Sequence, residues 1–168
     1  MSRPLRIRVL TVSDSRTLET DTSGALLEER ARAAGHQVDE RRIEPDDRYR
    51  LRAVVSAWID DPDTDCVLVN GGTGITGRDI TPEALTPLFD KNIDGFGECF
   101  RMLSYEDVGT STIQSRAIAG VANGTLIFCL PGSTGSVRLA WEGILESQLD
   151  ASHKPCNFVQ LMPRLKER

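Results

Sequence analysis

The chain has 168 residues, 39% hydrophobic and 27% charged, with a formal net charge of −5, which suits one globular domain over 1–168 with a sizeable core. The acid excess argues against a nucleic-acid surface, and no apolar run approaches the ~20 residues of a membrane span. Met1-Ser2-Arg3-Pro4 leads into a strand pattern without a signal-peptide core, so the expected compartment is the cytoplasm. Leu5 to Val12 is rich in Ile, Val and Leu and reads as a strand. A helix is predicted from about Ser23 to Ala34, with Thr22 or Ser23 as N-cap and Gly35 as its stop. Gln37 to Ile43 is a second, more exposed strand.

Helix two starts near Asp46-Asp47, whose carboxylates suit the positive end of the helix dipole. Leu51, Val54, Val55, Trp58 and Ile59 then fall on one helical face, which makes Trp58 a core residue. Cys66 to Asn70 is a buried strand, and a third helix opens at Pro82 with Thr81 as its cap. A helical segment follows from Phe96 to Asp107, whose Phe96, Phe100, Met102 and Leu103 suit either the core or a subunit interface. Arg116 to Ala122 and Thr125 to Leu130 flank Asn123-Gly124, a strong two-residue hairpin signal. A last helix spans roughly Val137 to Leu149, with Trp141 inward, and the tail from Ala151 reads as irregular. This alternation predicts a mostly parallel sheet with helices on both faces, an α/β/α sandwich that includes one β-hairpin.

The most informative segment joins the third strand to its helix, Gly71-Gly72-Thr73-Gly74-Ile75-Thr76-Gly77-Arg78-Asp79-Ile80-Thr81-Pro82-Glu83. Glycines let a backbone pass through positive φ and turn its N–H groups toward an anion, and the acid offers a hard oxygen to a metal beside it. Gly72 to Gly77 spells G-x-G-x-x-G, but Arg78 to Thr81 separate glycine from helix, unlike a dinucleotide fingerprint. The phosphate-loop spacing fails too, because Arg78-Asp79 stands where Lys and Ser or Thr are required. A glycine-rich turn with no ligand is the plain alternative. Two further loops, Ser13 to Gly24 and Pro131 to Ser136, leave strands at the same predicted edge, where ligands of such sheets bind. Cys66, Cys99, Cys129 and Cys156 form no C-x-x-C pair, and His36 and His153 stand apart. That pattern argues against disulfides, a transition-metal site and a His-activated nucleophile.

Taken in order, Asp21-Thr22-Ser23-Gly24, Gly71-Gly72-Thr73-Gly74, Arg78-Asp79-Ile80-Thr81-Pro82-Glu83, Gly95-Phe96-Gly97-Glu98 and Leu130-Pro131-Gly132-Ser133 resemble the MoaB/MogA family of molybdenum cofactor biosynthesis. Phe100 to Ser104, Gly109 to Thr112, Gln114 to Val121 and Ser147 to Phe158 extend the likeness over nearly the whole chain. The resemblance implies a three-layer α/β protein that binds molybdopterin, a pterin dithiolene with a terminal phosphate. Adenylyltransferase members join that phosphate to AMP from ATP with Mg²⁺ and release pyrophosphate. It also implies a homo-oligomer, trimer or hexamer, which favours the interface for Phe96, Phe100, Met102 and Leu103, with other proteins of the pathway as further partners.

On this likeness Asp79 is the metal-side acid of the Gly-rich loop. Asp46, with Asp47 close behind, is the second acid, so that Asp79 and Asp46 would hold Mg²⁺. Gly71, Gly72, Thr73 and Gly74 would cradle phosphate, and Asp21, Thr22, Ser23 and Gly24 would make a second anion site at a helix N-terminus. Ser115 and Arg116 match the pterin-side motif, and Pro131, Gly132 and Ser133 close the pocket. Three bland alternatives stay open: Asp46 as a helix cap, Ser23 as an N-cap and Arg116 as a surface strand residue. The last loop departs from the Pro-Gly-Asn-Pro of many adenylylating members by reading Pro131-Gly132-Ser133-Thr134. A non-catalytic molybdopterin-binding or carrier protein, or an oligomeric scaffold, is therefore the competing expectation.

Overall fold

Strands β1 (Arg6–Val12), β2 (Gln37–Glu44), β3 (Cys66–Asn70), β4 (Lys91–Asn92), β5 (Ile118–Ala122) and β6 (Thr125–Leu130) form one sheet, ordered β2-β1-β3-β6-β5-β4. The computed structural model describes residues 3–168; Met1 and Ser2, read above as the lead-in to the first strand, lie outside them. Strands β2, β1, β3 and β6 are parallel, while β5 runs against both of its neighbours. The reversal is made by Asn123 and Gly124, whose φ values of 49° and 80° are those a two-residue hairpin turn requires.

Helices α1 (Thr22–Ala33), α4 (Asp94–Val108) and α5 (Thr134–Ala140) pack on one face, and α2 (Arg48–Asp60) and α3 (Thr81–Leu85) on the other. The period-two alternation of the strands divides their side chains between two cores. Ile7, Val9, Leu68 and Phe128 meet Leu27, Phe96, Phe100 and Trp141 on the first face. Leu10, Val67, Val69 and Ile127 meet Leu51, Val54, Val55 and Trp58 on the second. Burying each large side chain contributes about 1.5–3 kcal/mol, and covering both faces is why β3 and β6 read as unbroken apolar runs. This is the three-layer α/β fold expected from the sequence. Among the described residues no helix is long and apolar enough to cross a membrane.

Several local expectations are corrected. Helix α1 is capped by Asp21, whose carboxylate accepts from the Gly24 N–H, and not by Thr22 or Ser23. Thr81 does not cap α3, because its buried hydroxyl donates instead to the Gly71 carbonyl at 2.8 Å. Of the residues open to core or interface, Phe96 and Phe100 take the core, against the favoured interface, and Met102 is the exposed member. Arg116 lies just before β5 and is not a strand residue. The two-residue edge strand β4 is too short to leave a sequence pattern. The tail holds a short helix, α7 (Phe158–Leu161), capped by Asn157 and anchored by Phe158 against Phe128. After α5 the chain widens into a π-helical turn, Trp141–Leu145, before α6 (Glu146–Gln148).

A candidate ligand site at the carboxyl edge of the sheet

The segments that follow β1, β3 and β6 border a cavity of 510 Å³. Its far wall comes from α4 and the 3₁₀ turn Gly109–Gln114, which contribute Phe100, Ser104, Thr112 and Gln114. The volume falls in the range of small-molecule and cofactor sites.

The Gly-rich loop crosses the floor in a conformation that other residues would resist. Gly71 and Gly72 have φ values of 98° and 69°. A Cβ on Gly71 would lie 2.3 Å from the Val12 carbonyl oxygen, and one on Gly72 would lie 2.3 Å from Thr81 Oγ1. The loop is held from behind by Arg116. Its guanidinium donates to the carbonyls of Gly74 (2.7 Å) and Asp79 (3.0 Å) and pairs with the Glu83 carboxylate. That pairing keeps the Glu83 carboxyl below its ordinary range. Asp79 steadies the loop from within, because one of its oxygens accepts from the Thr76 N–H and hydroxyl at 2.9 and 2.7 Å.

Two carboxylates flank this loop. A Cβ on Gly74 would fall 2.6 Å from Asp79 Oδ2, and one on Gly72 would fall 3.2 Å from Asp46 Oδ1. Asp46 and Asp47 divide their work. Asp47 caps α2 by accepting from the N–H groups of Tyr49 and Arg50, both at 2.9 Å, whereas Asp46 lines the cavity. Burial, and then the nearby Asp14 carboxylate, push the Asp46 carboxyl above its ordinary value. Asp14 itself is held low by the Arg78 guanidinium, 2.5 Å away, and by the Asp46 N–H, 3.1 Å away.

The helix N-terminus expected to bind an anion already holds one. Asp21 is buried; one oxygen takes the Gly24 N–H at 2.9 Å, and the other takes the Thr11 hydroxyl at 2.8 Å and the Arg41 guanidinium at 3.0 Å. Neighbouring hydroxyls tie α1 to the last loop. Ser23 donates to the Gly132 carbonyl at 2.7 Å, and Thr22 lies 3.0 Å from the Thr134 hydroxyl. Ser133 is spent on capping α5 through the Ser136 N–H.

Of the residues singled out in the sequence, Asp21, Ser23, Asp46, Gly71, Gly72, Thr73, Gly74, Asp79, Ser115, Pro131 and Gly132 converge on the cavity. Thr22, Gly24, Asp47, Arg116 and Ser133 do not line it; all but Gly24 make their bonds to the frame through their side chains. Sequence reasoning gave no role to Asp14, Arg16, Asn70 or Arg78. Arg78 stood beside Asp79 in the motif, so its position was a signal; Asp14, 64 residues away from it, offered none.

The donor set suits a hard cation. Asp46 and Asp79 present carboxylate oxygens over backbone that leaves no room for a Cβ. Among the described residues no group of three or more His, Cys, Asp or Glu could hold a metal ion. Two carboxylates are still a donor set compatible with Mg²⁺, which takes one or two and completes its shell with phosphate oxygens and water.

Fold and site together define an α/β protein with a glycine-lined, acid-flanked ligand cleft at the carboxyl edge of a mainly parallel sheet. Residues 8–151 match the family model described as "Probable molybdopterin binding domain". The chain belongs to this family, the MoaB/MogA family of molybdenum cofactor biosynthesis. It is 57% identical over 164 residues to molybdenum cofactor biosynthesis protein B of Escherichia coli K12, covering 98% of this chain and 95% of that one. A crystal structure of a molybdenum cofactor biosynthesis protein B superposes with a TM-score of 0.90 at 44% identity, over 98% and 99% of the two chains. The tungsten cofactor synthesizing protein MoaB from Pyrococcus furiosus superposes at 0.78 with 37% identity, over 88% and 94%.

Proposed function

We propose that this protein binds molybdopterin and adenylylates it with Mg-ATP in the cytoplasm. The observation that carries the reading is the placement of Asp46 and Asp79 against Gly72 and Gly74, one on each part of the phosphate-suited loop. An oxygen of the pterin phosphate attacks the α-phosphorus of ATP. A P–O–P bridge forms, the bond to the β-phosphate oxygen breaks, and pyrophosphate leaves with that electron pair. Asp46 and Asp79 would hold Mg²⁺, which when bound offsets the charge of the two approaching anions. The chain's own contribution is positioning: Gly71 to Gly74 offer backbone amides, and Arg116 fixes the loop that carries them. We assign the pterin to the wall that Ser115 shares with Ser104, Thr112 and Gln114, because Ser115 matches the family's pterin-side motif.

Met102, Tyr105, Val108 and Ile113 are exposed on α4 and the turn after it. An exposed apolar group of this kind supports a homo-oligomer.

The test is incubation of the pure protein with ATP, Mg²⁺ and molybdopterin, analysed for adenylylated product, with Asp79→Asn alongside. Product from wild type and none from a folded mutant is the expected outcome. Bound pterin without product from wild type would overturn the enzyme reading in favour of a carrier.

A further inference from the structure

The cavity is lined by three carboxylates, Asp21, Asp46 and Asp79, and Asp14 stands behind them. Among the described residues that line it, only Arg16 and Arg78 carry positive charge. A nucleotide that brings several negative charges into this cleft meets acids first, so the disposition of those two cations decides whether it can stay. Arg16 donates to the Thr20 carbonyl of its own loop at 2.5 Å. Arg78 makes a double contact with one oxygen of Asp14, 3.0 Å from Nε and 2.5 Å from Nη2.

Three features of the Arg78–Asp14 pair point the same way. It is open to water, with side chains 69% and 42% exposed, and such pairs are weak and readily exchanged. The backbone around Arg78 is clamped, since Arg116 holds the carbonyls of Gly74 and Asp79 and the Asp79 N–H bonds the Thr76 carbonyl at 3.0 Å. Side-chain motion therefore needs no movement of the loop. Asp14 keeps a second partner in the Asp46 N–H, so it stays in place when the arginine leaves. A guanidinium also fits a phosphate as well as a carboxylate, through paired N–H donors.

Resting on the adenylyltransferase reading, we propose that Arg78 is a polyphosphate-binding residue held in reserve by its pairing with Asp14. When a nucleoside triphosphate enters, Arg78 exchanges the Asp14 carboxylate for phosphate oxygens. Asp14 acts as a holding site that keeps the cation at the cleft mouth and out of the acid pair. Its hold on Arg78 lowers affinity for anions, and the exchange offsets that loss only for a ligand with enough phosphate to compete.

Calorimetric titration of the full-length protein with ATP, and separately with inorganic tripolyphosphate, tests this without any turnover. Arg78→Gln is expected to weaken both ligands about tenfold, the size of one charge-assisted contact. Asp14→Asn retains an oxygen for the Asp46 N–H but releases Arg78, and is expected to tighten both by about threefold, the size of an exposed ion pair. The double variant decides the mechanism. Exchange requires that Asp14→Asn have no effect once Arg78 is gone, whereas a general field effect predicts the same gain in either background and overturns the proposal. Wild-type binding of ATP with Arg78→Gln unchanged also overturns it while leaving the adenylyltransferase reading intact. Failure of wild type to bind either ligand removes both.

Discussion

Asp21 offers the sharpest separation between a ligand-binding and an architectural residue. Replacing it with Asn keeps its volume and leaves an amide oxygen for the Gly24 N–H, so the helix cap survives. The other oxygen becomes an NH₂ group facing the Arg41 guanidinium, which is a donor, and the Thr11 hydroxyl, whose oxygen already accepts from Asn70 at 2.9 Å. The ion pair is well enclosed, with side chains 18% and 1% exposed, so its charge-assisted bond is worth about 1.5–3 kcal/mol. Stranding the Thr11 proton costs about 1 kcal/mol more. A loss of about 2.5–4 kcal/mol corresponds to a melting temperature about 5–15 °C lower in a protein of this size. Urea titration and calorimetric melting would both register it, and Asp21→Ala should lose a further ~0.5–2 kcal/mol with the cap. An Asp21→Asn protein within about 0.5 kcal/mol of wild type that bound phosphate more tightly would refute this reasoning and restore the anion site at the start of α1.

Two further outcomes follow from the acid pair. Gly74→Ala places a methyl 2.6 Å from Asp79 Oδ2. The fold should persist while the proposed adenylyl transfer falls by about 100-fold, as for a reacting group displaced by about 1 Å; an unchanged kcat would show that Asp79 is not poised for that reaction. Asp46 has its carboxyl raised by burial and then by Asp14, so its charged form is penalised in the folded state. The favourable linkage is present below its ordinary value of 3.8 and is lost as pH rises through the higher folded value. Asp46→Asn should therefore stabilise the fold at pH 7, with the gain closing as pH falls toward 3.8; urea midpoints showing the same gain at pH 3 would contradict this.

Much of the frame was legible because it rests on short-range regularities. The apolar face of α2, the buried runs of β3 and β6 and the Asn123-Gly124 turn each announce themselves within about ten residues. The cleft was legible for a different reason: its glycines, Asp79 and Asp46 belong to motifs that resemble a known family. What escaped depends on contacts made by folding alone. Whether Asp21 or its neighbours cap α1 is settled by Arg41 and Thr11, which arrive from different strands. The resemblance favoured Asp46 over Asp47 without excluding either; folding separates them, because the chain direction into α2 turns Asp47 toward Tyr49 and Arg50 and leaves Asp46 over Gly72. Arg116 reads as a strand residue because Ala117 and Ile118 continue its pattern, yet its partners lie 33 to 42 residues back.

The antiparallel course of β5 has a consequence for how this cleft is walled. Parallel strands deliver only outgoing chain to their carboxyl edge, so every such loop begins in the sheet and ends in a helix. Ile118 of β5 lies opposite Cys129 near the end of β6, which makes Ser115 and Arg116 incoming chain at that same edge. The cleft is therefore bounded on one side by segments leaving the sheet and on the other by a segment about to enter it. The hairpin tip lies at the far pole, so lengthening it should leave both walls where they are.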